Sequence, residues 1–203
     1  IMDGRYMVCC RPMNWLDERM RKLNWLLKKP GNALIPGYGD PFFSFLMHPE
    51  EELIQTFYQA FAEKDGHRMK SCYHPESIFR DEVFELKGQD EIGAMWIMLC
   101  SRAKNFSLVY SNLRVEGESG SADWEAQYTF RKTGRLVHNK IHSEFSFRDG
   151  LIARHHDEFD FWRWSRMALG LPGILFGWSG FLKNKVRKEA RSSLQDYLQN
   201  NRF

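Results

Sequence analysis

The sequence predicts an α+β domain: about three helices packed on a curved antiparallel sheet, followed by a C-terminal helix. Helix-like segments come first, at about 49–63, 66–73 and 89–103. Four strand-like runs follow, at 106–116, 121–132, 135–148 and 151–163, with apolar and polar residues alternating. Thr133-Gly134 and Asp149-Gly150 join the last three runs as tight hairpins. Helices segregated from a meander bury their apolar stripes on one sheet face.

Each element has a local cause. His48-Pro49-Glu50-Glu51-Glu52 places a proline and three acids in a first helical turn, where a missing N–H is harmless and negative charge meets the helix dipole. Leu53, Phe57, Ala60 and Phe61 follow at helical spacing, and Asp65-Gly66 separates the first helix from the second. Pro75 then breaks the chain before a short strand at about 77–82 that holds Ile78, Phe79 and Asp81. Gly88 precedes the third helix, which lines up Ile92, Met95, Trp96 and Leu99. The last helix, 183–199, repeats Val186, Ala190, Leu194 and Leu198 at four-residue intervals.

Three parts differ in character. Residues 1–46 carry net +3, residues 47–182 carry −4 and residues 183–203 carry +4. The chain starts with Ile1, and Pro30 to Pro41 holds three prolines and three glycines. Residues 1–46 are therefore expected to be upstream read-through or a loose extension, with the domain over 47–165 and a glycine-rich segment and basic helix over 166–203. A mildly acidic body argues against a nucleic-acid partner. Cys9, Cys10, Cys72 and Cys100 have neither metal-ligand spacing nor disulfide density, which points to a reducing, cytoplasmic setting. The charge-free run Met167 to Leu182 is sixteen residues, short of the roughly 20 that a spanning helix needs.

The order of elements resembles the nuclear transport factor 2-like superfamily, which includes ketosteroid isomerases, limonene epoxide hydrolases and SnoaL-like polyketide cyclases. The residues that carry the resemblance are Phe57 to Phe61, Tyr73-His74-Pro75-Glu76, Phe79 to Asp81, Gly88 and Phe145 to Phe159. It covers about 47–165, and Phe161-Trp162-Arg163-Trp164 continues it as in a SnoaL-like subgroup. The resemblance implies a cone whose concave sheet face encloses an apolar pocket, and a homodimer. Fold alone does not choose between enzyme and binder.

Which residues face the pocket depends on register, since a one-residue slip exchanges the two faces of a strand. If Asp149-Gly150 is a two-residue turn, His142 lies opposite Asp157. If Arg148-Asp149-Gly150 is a three-residue turn with Gly150 in a left-handed bulge, Phe145 lies opposite Ala153, Ser143 opposite His155 and Ile141 opposite Asp157. We take the second register, because it gathers the alternating apolar residues of three strands on one face. That wall is Trp124, Ala126, Tyr128, Asn139, Ile141, Ser143, Phe145, His155, Asp157 and Phe159, mostly apolar with a few converging polar groups, as ligand cavities are. Burial moves carboxylates and imidazoles toward neutrality, where each can trade protons. The resemblance implies the same pair: SnoaL-like cyclases use a His and an Asp two residues apart on the last strand, a spacing that His155 and Asp157 match.

Asp81 is the second candidate, and it aligns near the general base of ketosteroid isomerases. The isomerase pattern breaks elsewhere, because its tyrosine donor aligns with Phe57 and its protonated aspartate with Ser143. Tyr58, one residue on, points roughly 100° around the helix. Asp81 can also be read as an ordinary strand-end cap. Phe57 and Trp96 complete the expected lining, although Trp96 and Met95 also suit plain core positions. His138, His142 and His156 fall on the opposite face. No metal ligand set, phosphate-cradling loop, nucleophile motif or dinucleotide fingerprint is present, so neither metal nor cofactor is expected.

Two functions follow. The first is a cofactor-independent isomerase-, cyclase- or hydrolase-type enzyme acting on a small apolar, cyclic or carbonyl-bearing compound. Asp157 would be its acid/base and His155 the partner, with Asp81 and Tyr58 auxiliary. The alternative is a non-catalytic ligand-binding or dimerisation domain. The run from Trp164 to Leu182 is expected to close the pocket mouth or pack on a neighbouring subunit. Its rival reading, a membrane-surface patch of Trp178 and Phe181 beside Lys183 and Lys185, is set second, and no membrane contact is expected.

Overall fold

Residues 48–201 are described by the structure, a computed structural model. The expectations for residues 1–46 and for the boundary at Met47 lie outside the described residues. The elements run α1 (Pro49–Ala62), α2 (Gly66–Ser71), β1 (Tyr73–Arg80), β2 (Glu85–Lys87), α3 (Gln89–Arg102), β3 (Lys104–Glu116), β4 (Ser119–Phe130), β5 (Arg135–Arg148), β6 (Leu151–Glu158), α4 (Phe161–Leu169), α5 (Leu171–Phe176) and α6 (Gly180–Asn200). One six-stranded, unclosed sheet is ordered β2-β1-β6-β5-β4-β3. Only its β1–β6 pair is parallel.

Local signals explain the helices. Pro49 and three acids open α1, and the Asp65 side chain caps α2 by accepting from the Arg68 amide at 2.9 Å. The inner stripe of α1 is broad, burying Ile54, Phe57, Tyr58, Ala60 and Phe61. With Ile92, Met95, Trp96 and Met98 of α3 it covers the inner face of the sheet.

On β5 burial alternates without a break from Val137 to Phe147, placing Val137, Asn139, Ile141, Ser143, Phe145 and Phe147 inside. The outer face pairs carboxylates of β4 with basic side chains of β5. His138 and Lys140 each reach Glu125 at 2.6 Å, and His142 reaches Asp123 at 2.6 Å. These exposed pairs contribute little to stability.

Four expectations are corrected. The chain crosses Pro75 within β1, because the β1–β6 ladder is irregular between Tyr73 and Ile78 and an irregularity tolerates a missing N–H. Short strand β2 then pairs back on β1, so Gly88 leads from a strand directly into α3. Phe130 pairs with Arg135, so residues 131–134 form a four-residue loop and not a Thr133-Gly134 turn. Finally, β6 stops at Glu158. Asp160 caps α4 by accepting from the Arg163 amide at 2.9 Å, and Phe161, Trp164 and Ala168 are buried at helical spacing.

The register of the last hairpin differs from both alternatives. Arg148 pairs with Leu151 across a two-residue turn in which Asp149 and Gly150 have φ of 55° and 71°. That is the left-handed pair which a tight hairpin requires. The extra residue is instead absorbed at Ala153: Phe147 pairs with Ile152, but Ser146 pairs with Arg154. Beyond this bulge Phe145 lies opposite His155 and Ser143 opposite Asp157, not opposite Ala153 and His155. The face expected for His155 and Asp157 is the face they occupy, while each cross-strand partner lies two residues further along.

The C-terminal elements pack on this body. Trp164, Phe161 and Ala168 of α4 form a second small core with Val137 of β5. Helix α6 begins earlier than expected because Ser179 caps it, its hydroxyl accepting from the Leu182 amide at 3.3 Å. Leu194 is fully buried, and Arg102 of α3 donates to Ser193 Oγ at 2.6 Å.

Candidate active site

The inner face of β5 and β6 carries a chain of hydrogen-bonded side chains. Trp96 Nε1 of α3 donates to Tyr73 Oη at 3.0 Å, and Tyr73 Oη lies 2.6 Å from His155 Nδ1. His155 Nε2 is 2.9 Å from Asp157 Oδ1. The same carboxylate oxygen accepts from Ser143 Oγ, which in turn accepts from Tyr58 Oη at 3.0 Å and Trp124 Nε1 at 2.8 Å.

Proton positions follow from donor chemistry. Indole N–H groups can only donate, so Tyr73 accepts from Trp96 and has one O–H left, whose acceptor is His155 Nδ1. The proton on His155 therefore sits on Nε2 and points at Asp157. In the same way Trp124 and Tyr58 donate to Ser143, which donates to Asp157. Every proton runs toward Asp157 Oδ1. Its other oxygen, Oδ2, carries no hydrogen bond among the described residues.

The network is dry. Exposure is 1 % at His155, 0 % at Ser143 and 3 % at Asp157. Phe57 and Phe79 meet the His155 ring edge-on at 5.4 and 5.1 Å, Trp96 stacks at 6.2 Å and Phe145 lies at 4.4 Å. Burial pushes the Tyr73 hydroxyl well above the usual tyrosine range, and the Trp96 hydrogen bond opposes it. Tyr58 is pushed up likewise, first by burial and then by the charge of Asp157. Both tyrosines are fixed as proton donors.

Asp81 stands beside this network. The parallel ladder that matches Phe79 to His155 and Arg80 to His156 carries Asp81 to the position next to Asp157. Its Oδ1 accepts from the Val83 amide at 2.6 Å and from the Phe84 amide, the turn-capping role that the sequence allowed. Burial raises its carboxyl to about 7, against those two amides, and the charge of Asp157 adds to the rise. The cap and the perturbed acid are one residue.

The expected site residues thus separate into groups. Asp157, His155, Ser143, Tyr58 and Trp124 form the network, with Phe57, Trp96 and Phe145 as its aromatic box. Tyr58 reaches in because the apolar stripe of α1 is wide enough to bury neighbouring residues 57 and 58 together. Asn139 is buried on the same face, while Tyr128 and Phe159 are half-buried where α4 packs. There Trp164 Nε1 donates to Tyr128 Oη at 2.9 Å, and burial raises that hydroxyl to about 12. A solvent-open groove reaches Trp124, Ile141 and Phe159 between Asp160 and Asn112, and its lining includes neither His155 nor Asp157.

Sequence reasoning missed Tyr73 and Phe79, which hold His155 from the neighbouring strand. Their alternation with Ser77 on β1 was a signal, masked by reading Pro75 as a break.

Comparison with known proteins agrees with the fold. Residues 54–155, from α1 to the site histidine, match the SnoaL-like domain. The structure of TsrD from Streptomyces laurentii is 25 % identical, with a TM-score of 0.53 over 61 % of this chain and 96 % of that one. An M. tuberculosis LEH-like epoxide hydrolase is 14 % identical, with a TM-score of 0.52 over 63 % of this chain and 95 % of that one. A putative polyketide cyclase from Xanthomonas campestris pv. campestris is 15 % identical, with a TM-score of 0.50 over 59 % of this chain and 96 % of that one. The last two likenesses are of fold. None of the curated proteins compared with the chain matches it. Helices packed on the inner face of an unclosed sheet, and a family match over residues 54–155, half the chain, lead to one assignment: the protein belongs to the SnoaL-like domain family.

Proposed function

We propose that the protein performs cofactor-independent acid/base chemistry on a small apolar compound bearing a carbonyl or strained ring. The observation that carries this reading is the directed hydrogen-bond chain from Trp96 to Asp157, which presents one carboxylate oxygen with every neighbouring proton already committed. Asp157 Oδ2 takes a proton from the substrate. His155 and Ser143 hold Oδ1 and spread the charge, and Tyr73 keeps His155 in the tautomer that faces Asp157. Asp81, protonated in about half the molecules near pH 7, returns a proton to the substrate oxygen. The epoxide hydrolase and the putative polyketide cyclase lend this reading a precedent of fold and no more.

A second reading has its own support. Seven polar side chains are linked by hydrogen bonds in a dry interior, which also suits a rigid scaffold that binds without turnover. Solvent hydrogen exchange separates the two. The protein is incubated in D2O with a panel of cyclic ketones, and deuterium incorporation is read by NMR for wild type, Asp157→Asn and Asp81→Asn, alongside native mass spectrometry of bound ketone. Catalysis predicts exchange in wild type that falls at least tenfold in both variants while ketone binding persists. Binding without exchange in all three proteins overturns the catalytic reading.

A further inference from the structure

The segment after the site is built inside out. In α5 the small residues face the protein. A Cβ on Gly173 would lie 1.9 Å from Ser165 O, and one on Gly177 would lie 2.1 Å from Ser165 Oγ. The helix therefore lies flush on α4 through its glycines, and its large side chains point away. Leu171 is 73 % exposed, and Ile174, Leu175 and Phe176 are each about half exposed or more. Trp178, in the turn to α6, and Phe181, in its first turn, reach 73 % and 76 %. Exposed apolar clusters of this kind mark contact surfaces.

Three donors of the tip are bonded within it. Trp178 Nε1 donates to Leu175 O at 3.0 Å, Ser179 Oγ to Phe176 O at 2.6 Å and the Gly177 amide to Gly173 O at 2.9 Å. These donors enter an apolar medium with their hydrogen bonds already made.

Charge supplies the third observation. From Phe161 to Lys188 the chain has six Lys or Arg residues and no acid. Phe181, Lys185 and Lys188 recur at i, i+4 and i+7 on α6, so the apolar tip continues into an exposed basic stripe. Arg166 lies 4.7 Å over the exposed Trp162 ring, which borders Gly177. No helix among the described residues is long and apolar enough to cross a membrane.

We propose that the α5–α6 corner is a docking surface for anionic lipid bilayers. Leu175, Phe176, Trp178 and Phe181 enter the headgroup boundary, and Lys185, Lys188 and Arg166 contact lipid phosphates. A second copy of the chain fits this face less well, since a two-fold contact would set the exposed Lys185 and Lys188 of one copy toward those of the other.

Co-sedimentation of the full chain with phosphatidylglycerol–phosphatidylcholine vesicles, and with phosphatidylcholine alone, tests the proposal. Binding is expected on the mixed vesicles, weakening with salt, and at least tenfold weaker on phosphatidylcholine. At about fivefold per basic residue, the double substitution Lys185→Glu and Lys188→Glu should weaken binding more than tenfold and flatten the salt dependence. Trp178→Ser with Phe181→Ser should weaken it by at least tenfold on the same vesicles. All four positions are exposed, so unchanged melting temperatures establish that the variants fold. No sedimentation with the mixed vesicles overturns the proposal, as does binding that both double variants retain. Self-association lost in the Trp178→Ser, Phe181→Ser protein, without lipid binding, assigns the face to a second copy instead.

Discussion

Replacing Tyr73 with phenylalanine removes one oxygen from the middle of the buried chain and should be among the costliest single-atom changes in the protein. Tyr73 Oη has two partners, Trp96 Nε1 at 3.0 Å and His155 Nδ1 at 2.6 Å, and all three residues are buried. The Tyr73→Phe variant keeps the ring contacts but orphans one donor and one acceptor. Each orphaned buried group costs about 1–3 kcal/mol, so the loss should be about 3 kcal/mol. That corresponds to roughly 6–12 °C in melting temperature for a domain of this size. Tyr58→Phe is the internal comparison. Its hydroxyl donates to Ser143 Oγ, which still receives Trp124 Nε1 at 2.8 Å. No donor is stranded, and the cost should be about 1 kcal/mol. Urea unfolding followed by tryptophan fluorescence reads both, with unchanged m-values expected. Equal costs for the two variants, or a Tyr73→Phe loss under about 0.5 kcal/mol, would refute the proton assignment.

Two further outcomes follow from named geometry. Asp81 has a folded-state pKa of about 7 against 3.8 for the free side chain, so the folded protein holds that proton more tightly. Its contribution to stability is present below about pH 4 and is lost as pH rises to 7. Asp81→Asn removes the titration while keeping an acceptor for the Val83 and Phe84 amides. The stability difference between variant and wild type should therefore shift in favour of the variant between pH 5 and pH 8, and a shift the other way contradicts the assignment. Gly173→Ala forces a methyl group into Ser165 backbone atoms 1.9 and 2.3 Å away. It should lift α5 from α4 at a cost of about 1–3 kcal/mol, visible as faster proteolysis within residues 170–180. Unchanged cleavage and stability would show that α5 is not seated on its glycines.

Tyr73 and Ala153 mark the limit of local inference. Asp157 and His155 could be named in advance because alternation along β4 and β5 is a local property, and a strand displays it whatever its neighbours do. The position of the extra residue could not. A three-residue turn at Gly150 and a bulge at Ala153 give the same parity, hence the same inner face, but different partners for Ser143 and Phe145. Burial of both Ile152 and His155, three residues apart, is the sign of that bulge, and it is visible only once both side chains are seen to face the core. The Tyr73–His155 contact spans 82 residues. It depends on a parallel pairing of first and last strands, and no periodicity within either strand specifies that.

The amino-acid order by itself determined the α+β class, the succession of helices and strands, the family resemblance and the side of the sheet on which the polar residues lie. Each of these rests on propensity and period, which act over a few residues. Tertiary structure alone decided that Tyr58 and Tyr73 anchor the two ends of the His155–Asp157 chain, that Asp81 sits close enough to feel Asp157, and that α5 turns its large side chains outward. Those are consequences of packing, where residues distant in sequence compete for the same space and the same hydrogen bonds.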